Sequence, residues 1–329
     1  MAMTIKITEL ETLVTNAIRT QYSAEEAELM KEVVMFGELA GKPSHGLLRL
    51  FKENYGVFTD TITGIPEYIH KTKVSTIIEA HGNPGMLIGP LATKEVIRLA
   101  KETGVGIVGT KGSINSTGSL SYYCEKIAKE NLIGVIMTHA SPMTVAFSSK
   151  KALFGTNPLA FGIPSIPHPI IFDMATSAIT FGAIAKYKAA GKKLPENLAV
   201  DKEGKSTTDP TAAMEGATLA FDNSYKGSGL AMIVELLGGL WTGASFAGNN
   251  KKDLWGNLYM AFSPELLQDL GTFKEKTQKF IATLQAAETR DGQPIRIPGE
   301  STLAIRDANI KRGEIELEEA LIARIRQIT

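Results

Sequence analysis

Hydrophobic residues recur at a helical period from the start of the chain to about residue 55. Two segments fit the capping-box spacing, in which Ser or Thr precedes Glu by three residues: Thr8 to Glu11 and Ser23 to Glu26. Apolar residues at helical spacing follow each segment, so each predicts the start of a helix. The second predicted helix runs through Leu39, which places His45 just beyond the end of a long helix.

From residue 74 onward, short apolar runs alternate with stretches of helical period. The predicted strands are 74–80, 105–110, 133–138, 159–164, 170–173 and 258–262. The predicted helices are 88–103, 118–131, 177–190, 229–240 and a long one starting near 264, before residues 314–317 and a charged C-terminal helix. A polar stretch over 201–210 is typical of a surface loop. The alternation predicts an α/β core.

Charge and composition narrow the class of protein. The 329 residues include 35 Lys and Arg against 35 Asp and Glu, and this balance argues against nucleic-acid or membrane-surface partners. No apolar stretch reaches the ~18 residues of a membrane span, and the N-terminus resembles no signal peptide, so we expect a soluble, cytoplasmic protein. The single cysteine, Cys124, excludes an internal disulfide, and its helical context predicts a buried side chain.

The segment Ser44-His45-Gly46-Leu47-Leu48-Arg49 carries the strongest chemical signal. On a helix, residues four apart share a face and lie about 6 Å apart at Cβ, so His45 and Arg49 would face one ligand. A guanidinium binds a carboxylate through two parallel hydrogen bonds, and an imidazole titrates near neutral pH. The pair fits a hydroxy or oxo acid, with Ser44 placed to fix the ring tautomer. A helix break with a capped turn explains the same residues equally well.

A Gly-x-Gly-x-x-Gly match spans Gly104 to Gly109. A dinucleotide fingerprint must follow a strand and open a helix, whereas this match follows a predicted helix and runs through a predicted strand. We therefore reject it as a cofactor motif and interpret Gly104 as the residue that ends the helix.

Three turns offer groups that could hold a ligand. In 172–177 a strand ends in Asp173, and small or hydroxyl residues open a helix whose free N–H groups could bind a phosphate; a plain N-cap is the alternative. Residues 226–229, Lys-Gly-Ser-Gly, combine a cation with a helix start, or form only a glycine-rich turn. Residues 155–158, Gly-Thr-Asn-Pro, could line a cleft or merely close a turn.

His139 is a further site candidate, because it ends the predicted 133–138 strand, where sheets of this type present ligands. His70, His81 and His168 lie in turn-like contexts and are predicted at the surface. No two histidines have metal-ligand spacing and His-Glu-x-x-His is absent, so we expect no metal.

Five segments, in this order and at these spacings, resemble the malate/L-lactate dehydrogenase family, which is unrelated to the Rossmann lactate dehydrogenases. They are 44–49, 155–160, 173–177, 201–210 and 226–230. The resemblance covers nearly the whole chain. The family also includes ureidoglycolate dehydrogenase, 2,3-diketogulonate reductase, sulfolactate dehydrogenase and the piperideine- and pyrroline-2-carboxylate reductases.

The resemblance implies an α/β fold with a non-Rossmann nicotinamide-binding sheet core and helical N-terminal and C-terminal caps. We expect residues 1–73 to carry the catalytic histidine and to pack with 264–329, around a nicotinamide- and substrate-binding core over 74–263. The family also implies an obligate homodimer that uses NAD, with NADP as the alternative cofactor.

The same resemblance implies roles for individual residues. His45, beside Ser44, corresponds to the catalytic histidine, and Arg49 corresponds to the clamp on the substrate carboxylate. Thr156 corresponds to a substrate-lining position. The segments that contact the nicotinamide and phosphates correspond to Asp173, Met174, Ala175, Thr176, Lys226, Gly227, Gly299 and Glu300.

One position departs from the family pattern. Many members carry a second active-site histidine two residues before the glycine that matches Gly118, and here that residue is Ser116. A serine cannot accept a proton near neutral pH, so we expect Ser116 to line the substrate site while His45 acts alone. Such a site should favour reduction, with kcat/KM falling through one pKa near ~6.5 as pH rises.

We predict an NAD(P)-dependent oxidoreductase that interconverts a small, malate- or lactate-like 2-hydroxy acid and its 2-oxo acid by hydride transfer. Two other enzyme activities remain alternatives: reduction of a cyclic imine acid and a ureidoglycolate-type dehydrogenation. The alternative from another class is a catalytically silent ligand-binding paralogue, suggested only by Ser116.

Overall fold

The computed structural model describes residues 2–60, 62–249 and 254–328. The strands are β1 (Ala2–Lys6), β2 (Glu67–Thr72), β3 (Ser75–Glu79), β4 (Val105–Ser113), β5 (Ile133–Thr138), β6 (Thr144–Val145), β7 (Ala152–Phe154), β8 (Leu159–Ile163), β9 (Ile170–Met174), β10 (Ala199–Val200), β11 (Ala217–Thr218), β12 (Trp255–Phe262) and β13 (Glu314–Glu318). The α-helices are α1 (Ile7–Arg19), α2 (Ala24–Leu39), α3 (Gly85–Thr103), α4 (Leu120–Lys129), α5 (Phe181–Ala189), α6 (Pro210–Glu215), α7 (Tyr225–Val234), α8 (Leu270–Gln285), α9 (Glu300–Arg312) and α10 (Glu319–Arg326). A π-helix over Glu235–Leu240 continues α7.

The central sheet has seven strands in the order β2-β3-β4-β12-β5-β8-β9. Within it, β3 and β4 pair in parallel, and the other neighbours pair antiparallel. A Rossmann sheet is parallel and binds its ligand outside the carboxyl ends of the strands. The mixed α/β class and its non-Rossmann sheet are therefore confirmed.

The main core lies where helices pack against this sheet. The buried rings of Tyr123 on α4 and Tyr259 on β12 meet edge to face, with centroids 5.9 Å apart and planes at 88°. The same hydrophobic cluster takes in side chains from α1, α2 and α10. In addition, β1 pairs antiparallel with β13, so the two ends of the chain join in a small sheet of their own.

A second, smaller layer lies between β5 and α7 in the chain. Its four-stranded sheet has the order β10-β11-β6-β7, and its small core packs under α5 and α6. The start of α5 reaches the candidate catalytic loop, because a Cβ on Gly182 would lie 3.7 Å from Cβ of Ser44.

The predicted helix starts had different outcomes. Ser23 and Glu26 form the expected capping box at α2: Ser23 Oγ accepts from the Glu26 backbone N–H, and Glu26 Oε2 accepts from that of Ser23 at 2.9 Å. The Thr8 capping box is wrong. Helix α1 begins at Ile7, directly after β1, because the pairing of β1 with the distant β13 sets where the helix can start.

Other local predictions were confirmed or corrected. Gly104 ends α3 with φ of +86°, and Cys124 is fully buried, both as predicted. The strands predicted over 74–80 through 258–262 all form, whereas β1, β2, α6 and α9 were not predicted. No helix among the described residues is both long and apolar enough to cross a membrane.

We predict that Ser23→Ala lowers the free energy of unfolding by about 1 kcal/mol, because α2 loses its N-cap hydrogen bonds. Urea unfolding followed by circular dichroism measures the change. The matched control is Thr8→Ala, which removes an exposed hydroxyl that caps no helix and should change stability by less than about 0.5 kcal/mol. Equal losses in both variants would contradict the assignment of the cap.

Candidate active site

The loop that carries His45 lies directly against the last turn of α2. A Cβ on Gly37 would lie 2.2 Å from the carbonyl oxygen of His45, and one on Gly46 would lie 2.3 Å from Oε2 of Glu38. That carboxylate oxygen accepts a hydrogen bond from the backbone N–H of Leu47 at 2.9 Å. The loop is therefore anchored to α2 by close backbone packing and by one buried acidic side chain.

His45 and Arg49 do not share a helix, so the expectation of one helical face is wrong. They lie on two successive 3-10 turns, Pro43–His45 and Leu47–Leu50, separated at Gly46 by a non-helical backbone with φ of −105° and ψ of −133°. The side chains are nevertheless close enough for the charge of Arg49 to lower the pKa of His45.

The imidazole of His45 is held in a defined environment. Its Nδ1 lies 3.0 Å from Oγ of Ser44, the contact that the sequence suggested. When Nδ1–H donates to that hydroxyl, Nε2 carries the lone pair and can accept a proton from a ligand. This arrangement leaves Nε2 as the ring nitrogen that can exchange a proton with a ligand.

Burial, the charge of Arg49 and the charge of Lys42 lower the pKa of His45, and Asp173 raises it; together they place it at about 4. The ring is therefore neutral at pH 7 in the free protein. The expected ~6.5 holds for an unperturbed ring, and burial is the main reason that His45 departs from it. The preference for reduction stays a prediction.

Arg49 is fixed by backbone carbonyls. Its Nε donates to the carbonyl oxygen of Ser44 at 2.7 Å, and Nη1 donates to that of Asn54. Burial lowers its pKa to about 10, so the side chain stays charged at neutral pH. Nη2 makes no hydrogen bond to any described residue, so one edge of the guanidinium is free for a carboxylate.

Asp173 holds secondary structure together as well as facing the site. Its Oδ2 accepts from the backbone N–H of Ser121 at 3.0 Å, from Oγ of Ser121 at 2.7 Å and from Oγ of Ser119 at 3.2 Å. It therefore caps α4, and not the helix that follows it in the chain. Nζ of Lys42 lies 3.7 Å from the same oxygen.

Lys42 is a site residue that the sequence reasoning missed. A cation three residues before His45, on the same loop, was the signal that could have found it. With Asp173 and Gly299 it lines a cleft of about 310 Å³. The other lining residues are Phe36, Ser121, Glu125, Ile171, Phe172, Arg296, Ile297, Pro298, Ser301, Thr302 and Leu303.

Two predicted cofactor segments meet at this cleft. The turn before α9 rests on β9, because the N–H of Ile171 donates to the carbonyl of Pro298 at 3.1 Å. Gly299 has φ of +93°, and a Cβ there would lie 2.9 Å from the carbonyl oxygen of Ile171. The carboxylate of Glu300 accepts from the N–H of Ile297 at 2.9 Å, which closes the turn.

Thr176 is fully buried and connects three segments. Its N–H and its hydroxyl both donate to the carbonyl of Thr156, at 2.9 and 3.1 Å. Its own carbonyl accepts from the N–H of Phe221, just before α7. Met174 and Ala175, between Asp173 and Thr176, are half-buried.

The N-terminal turn of α7 is open to solvent. Ser224 caps the helix, and the N–H of Gly227 donates to Oδ1 of Asp222 at 3.1 Å. Lys226 is exposed, with no ion pair to any described residue, and a Cβ on Gly229 would meet nothing within 4 Å. The N–H groups of Lys226 and Gly227 are thus engaged by Ser224 and Asp222, and the Lys226 ammonium is the group left to contact a phosphate.

Ser116 lies beside the Arg49 turn. Its N–H donates to the carbonyl of Tyr55 at 2.9 Å, next to the Asn54 carbonyl that holds Arg49. Its Oγ accepts from the N–H of Gly118 at 3.1 Å, and the residue is buried. Ser116 therefore lies near the loop that carries Arg49, and its hydroxyl oxygen already accepts one hydrogen bond.

His139 is buried beneath the π-helix and is only 1% exposed. Its Nε2 lies 3.4 Å from Oε1 of Glu235, and neither ring nitrogen makes a hydrogen bond to a described residue. His139 therefore lies at an end of β5 that Gly238 and Gly239 of the π-helix cover, and its place in the substrate site stays a prediction.

A family model described as malate/L-lactate dehydrogenase matches residues 5–326. Malate/(S)-sulfolactate dehydrogenase of Methanothermus fervidus is 31% identical over 318 residues, which cover 93% of this chain and 91% of that protein. Sulfolactate dehydrogenase of Methanocaldococcus jannaschii aligns with a TM-score of 0.89 at 28% identity, covering 99% of this chain and 96% of that one. Δ1-piperideine-2-carboxylate reductase of Pseudomonas syringae aligns with a TM-score of 0.88 at 26% identity, covering 99% and 100%.

Fold, site and relatives together define an oxidoreductase of the 2-hydroxy acid dehydrogenase class. The chain belongs to the malate/L-lactate dehydrogenase family, which confirms the resemblance of the five segments.

We predict that His45 titrates near pH 4 in the free protein, well below the ordinary ~6.5 of a histidine. Two-dimensional ¹H–¹³C NMR of the ring, with the signal assigned from His45→Gln, measures the midpoint. Lys42→Met removes a neighbouring cation that disfavours protonation, so the midpoint should rise. A wild-type midpoint above pH 6, or one unmoved in Lys42→Met, would show that the ring environment is wrongly described.

Proposed function

We propose that the protein is an NAD(P)-dependent dehydrogenase that interconverts a small 2-hydroxy acid and its 2-oxo acid. The observation that carries this proposal is the arrangement at residues 44–49. A neutral imidazole, oriented through Ser44, lies next to a buried, charged guanidinium with one free edge. These are the two groups that a 2-hydroxy acid requires, one for its hydroxyl proton and one for its carboxylate.

In the oxidation direction, Arg49 holds the substrate carboxylate and Nε2 of His45 takes the hydroxyl proton. As Nε2 takes that proton, the C=O bond would form at C2 and the C2 hydrogen would leave as hydride, for which a bound nicotinamide would supply the acceptor. In reduction the same ring returns the proton to the new hydroxyl oxygen. A bound carboxylate places negative charge near the imidazole, which favours the protonated form that reduction needs.

We assign the cofactor to the segments that the structure joins through Asp173 and Thr176. Lys226, at the start of α7, would contact a phosphate, and Gly299 with Glu300 would form one wall of the site. The glycine backbone there approaches β9 too closely for any side chain. NAD is our first choice and NADP the second. Thr156 and Ser116 are proposed to line the substrate side.

The names of the relatives suggest the substrate class. Methanothermus and Methanocaldococcus proteins named for malate or sulfolactate are similar over nearly their full length. We therefore propose a C3 or C4 2-hydroxy acid, with a malate- or lactate-like skeleton, as the substrate.

We further propose that the protein is a homodimer. The side of α7 and the π-helix that faces away from the core is apolar and exposed, at Met232, Ile233, Leu236, Leu240 and Trp241. Contiguous apolar surface of this kind is typical of a subunit interface. Sedimentation velocity at micromolar concentration distinguishes the dimer from a fully active monomer, which would contradict this proposal.

The function is tested by turnover. Wild type, incubated with NADH or NADPH and a panel of 2-oxo acids and cyclic imine acids, should oxidise the nicotinamide with at least one C3 or C4 2-oxo acid. His45→Ala should lose on the order of 10²–10⁴-fold in kcat, the share of general acid–base catalysis, while NADH affinity stays unchanged. Turnover of imines alone would favour the reductase alternative. No turnover with any compound would favour a ligand-binding paralogue.

We predict that Arg49→Lys raises KM for the oxo acid by roughly 10- to 100-fold. Losing one charge-assisted hydrogen bond costs about 1.5–3 kcal/mol, and about 1.4 kcal/mol is tenfold in affinity. Steady-state kinetics at saturating NADH measures the change. The control is Arg98→Lys, which alters an exposed arginine paired with Glu95 and Glu102 and should leave KM unchanged. A wild-type KM in Arg49→Lys would make Arg49 a structural cation only.

A further inference from the structure

Asn157 is a polar residue near the proposed site whose backbone conformation and side chain are both held by surrounding contacts. It lies in the turn between β7 and β8, is fully buried, and has φ of +36°. Positive φ is uncommon for residues other than glycine, and it persists in a buried residue only where the surrounding contacts enforce it.

The side-chain amide of Asn157 binds α7 and its π-helical continuation. Nδ2 donates to the carbonyl of Ala231 at 3.0 Å and to Oε2 of Glu235 at 2.8 Å. Oδ1 accepts from the N–H of Ala140 at 3.4 Å. Both amide hydrogens and the carbonyl oxygen are therefore engaged, which only an amide at this position can achieve.

Glu235 extends the same contact. It is buried, it begins the π-helix, and its second oxygen accepts from the N–H of Ala247 at 2.8 Å. A short π-helix inside a longer helix occurs frequently at functional sites. Here it places the acidic side chain where Asn157 can reach it.

The backbone of the same turn binds the cofactor segment. The carbonyls of Thr156 and Asn157 both accept from the hydroxyl of Thr176, at 3.1 Å each. Asn157 thus joins three parts of the proposed site: the turn that carries Thr156, the segment that follows Asp173, and helix α7, which carries Lys226.

We propose that Asn157 is a positioning residue that couples the substrate turn to the cofactor helix, so that binding on one side strengthens binding on the other. This inference rests on the proposed function. Glycine would keep the backbone conformation and lose the amide, and aspartate would place a second carboxylate against Glu235.

The test measures whether binding of a substrate analogue changes the affinity of the protein for NADH. NADH binding is titrated by fluorescence, with and without saturating oxamate, a 2-oxo acid analogue that is not reduced. In wild type, oxamate should tighten NADH binding by at least ~5-fold, the lower end of ordinary coupling. In Asn157→Gly this ratio should fall to near one, with NADH binding alone unchanged and kcat/KM reduced on the order of 10²-fold, as for a small misplacement of a reacting group.

The matched control is Asn197→Gly, which alters an exposed asparagine that also has positive φ, +61°. It should keep the wild-type ratio. Glu235→Met, which has a similar length but no oxygen to accept from the Asn157 amide, tests the other side of the contact and should also lose coupling, so that the test stands if Asn157→Gly does not fold.

Coupling retained in either folded variant overturns the inference, and so does an equal loss of NADH binding without oxamate. If the wild type turns over a 2-oxo acid while oxamate leaves NADH binding unchanged, this inference is overturned and the proposed function stands. No turnover with any compound removes both.

Discussion

The site depends on the close approach of the His45–Gly46 backbone to the last turn of α2. Two glycines make that approach possible, and the Glu38 carboxylate fixes it by accepting from the Leu47 N–H. Burial raises the pKa of that carboxyl, because few donors compensate for its lost hydration. The orientation of His45 relative to Arg49 therefore follows from the placement of α2. A change in the packing of α2 would also change the geometry of the site.

The mixed sheet explains why the site is assembled from scattered segments. Among the described strands of the central sheet only β3 and β4 pair in parallel, so the sheet lacks the row of parallel strand ends at which a Rossmann fold binds its ligand. The proposed site therefore draws on loops at the sheet edge. Asp173 at the end of β9 bridges to α4 and Lys42, and Thr176 bridges to the Thr156 turn and the entry to α7. Each proposed ligand contact thus also holds secondary structure in place.

Three short-range signals predicted local structure correctly, whereas the Thr8 capping box and the shared helical face of His45 and Arg49 were wrong. The Ser23 capping box, the Gly104 helix end and the buried Cys124 depend on a few neighbouring residues, and all three were confirmed. The pairing of β1 with β13, the capping of α4 by Asp173 and the burial of His139 depend on contacts far apart in the chain. The pKa of His45 belongs to the second group, because burial, which no local pattern reveals, is its largest cause.

The pairing of β1 with β13 has a consequence for how the chain is made. Synthesis proceeds from the N-terminus, so β1 emerges long before its partner strand β13. Contacts between such distant segments also form slowly, since a long loop must close before they are gained. Helix α1 begins directly after β1, so the start of this helix lacks the support of the paired strand until β13 has been made. A ribosome-bound nascent chain that lacks β13 should therefore expose β1 to proteases and chaperones.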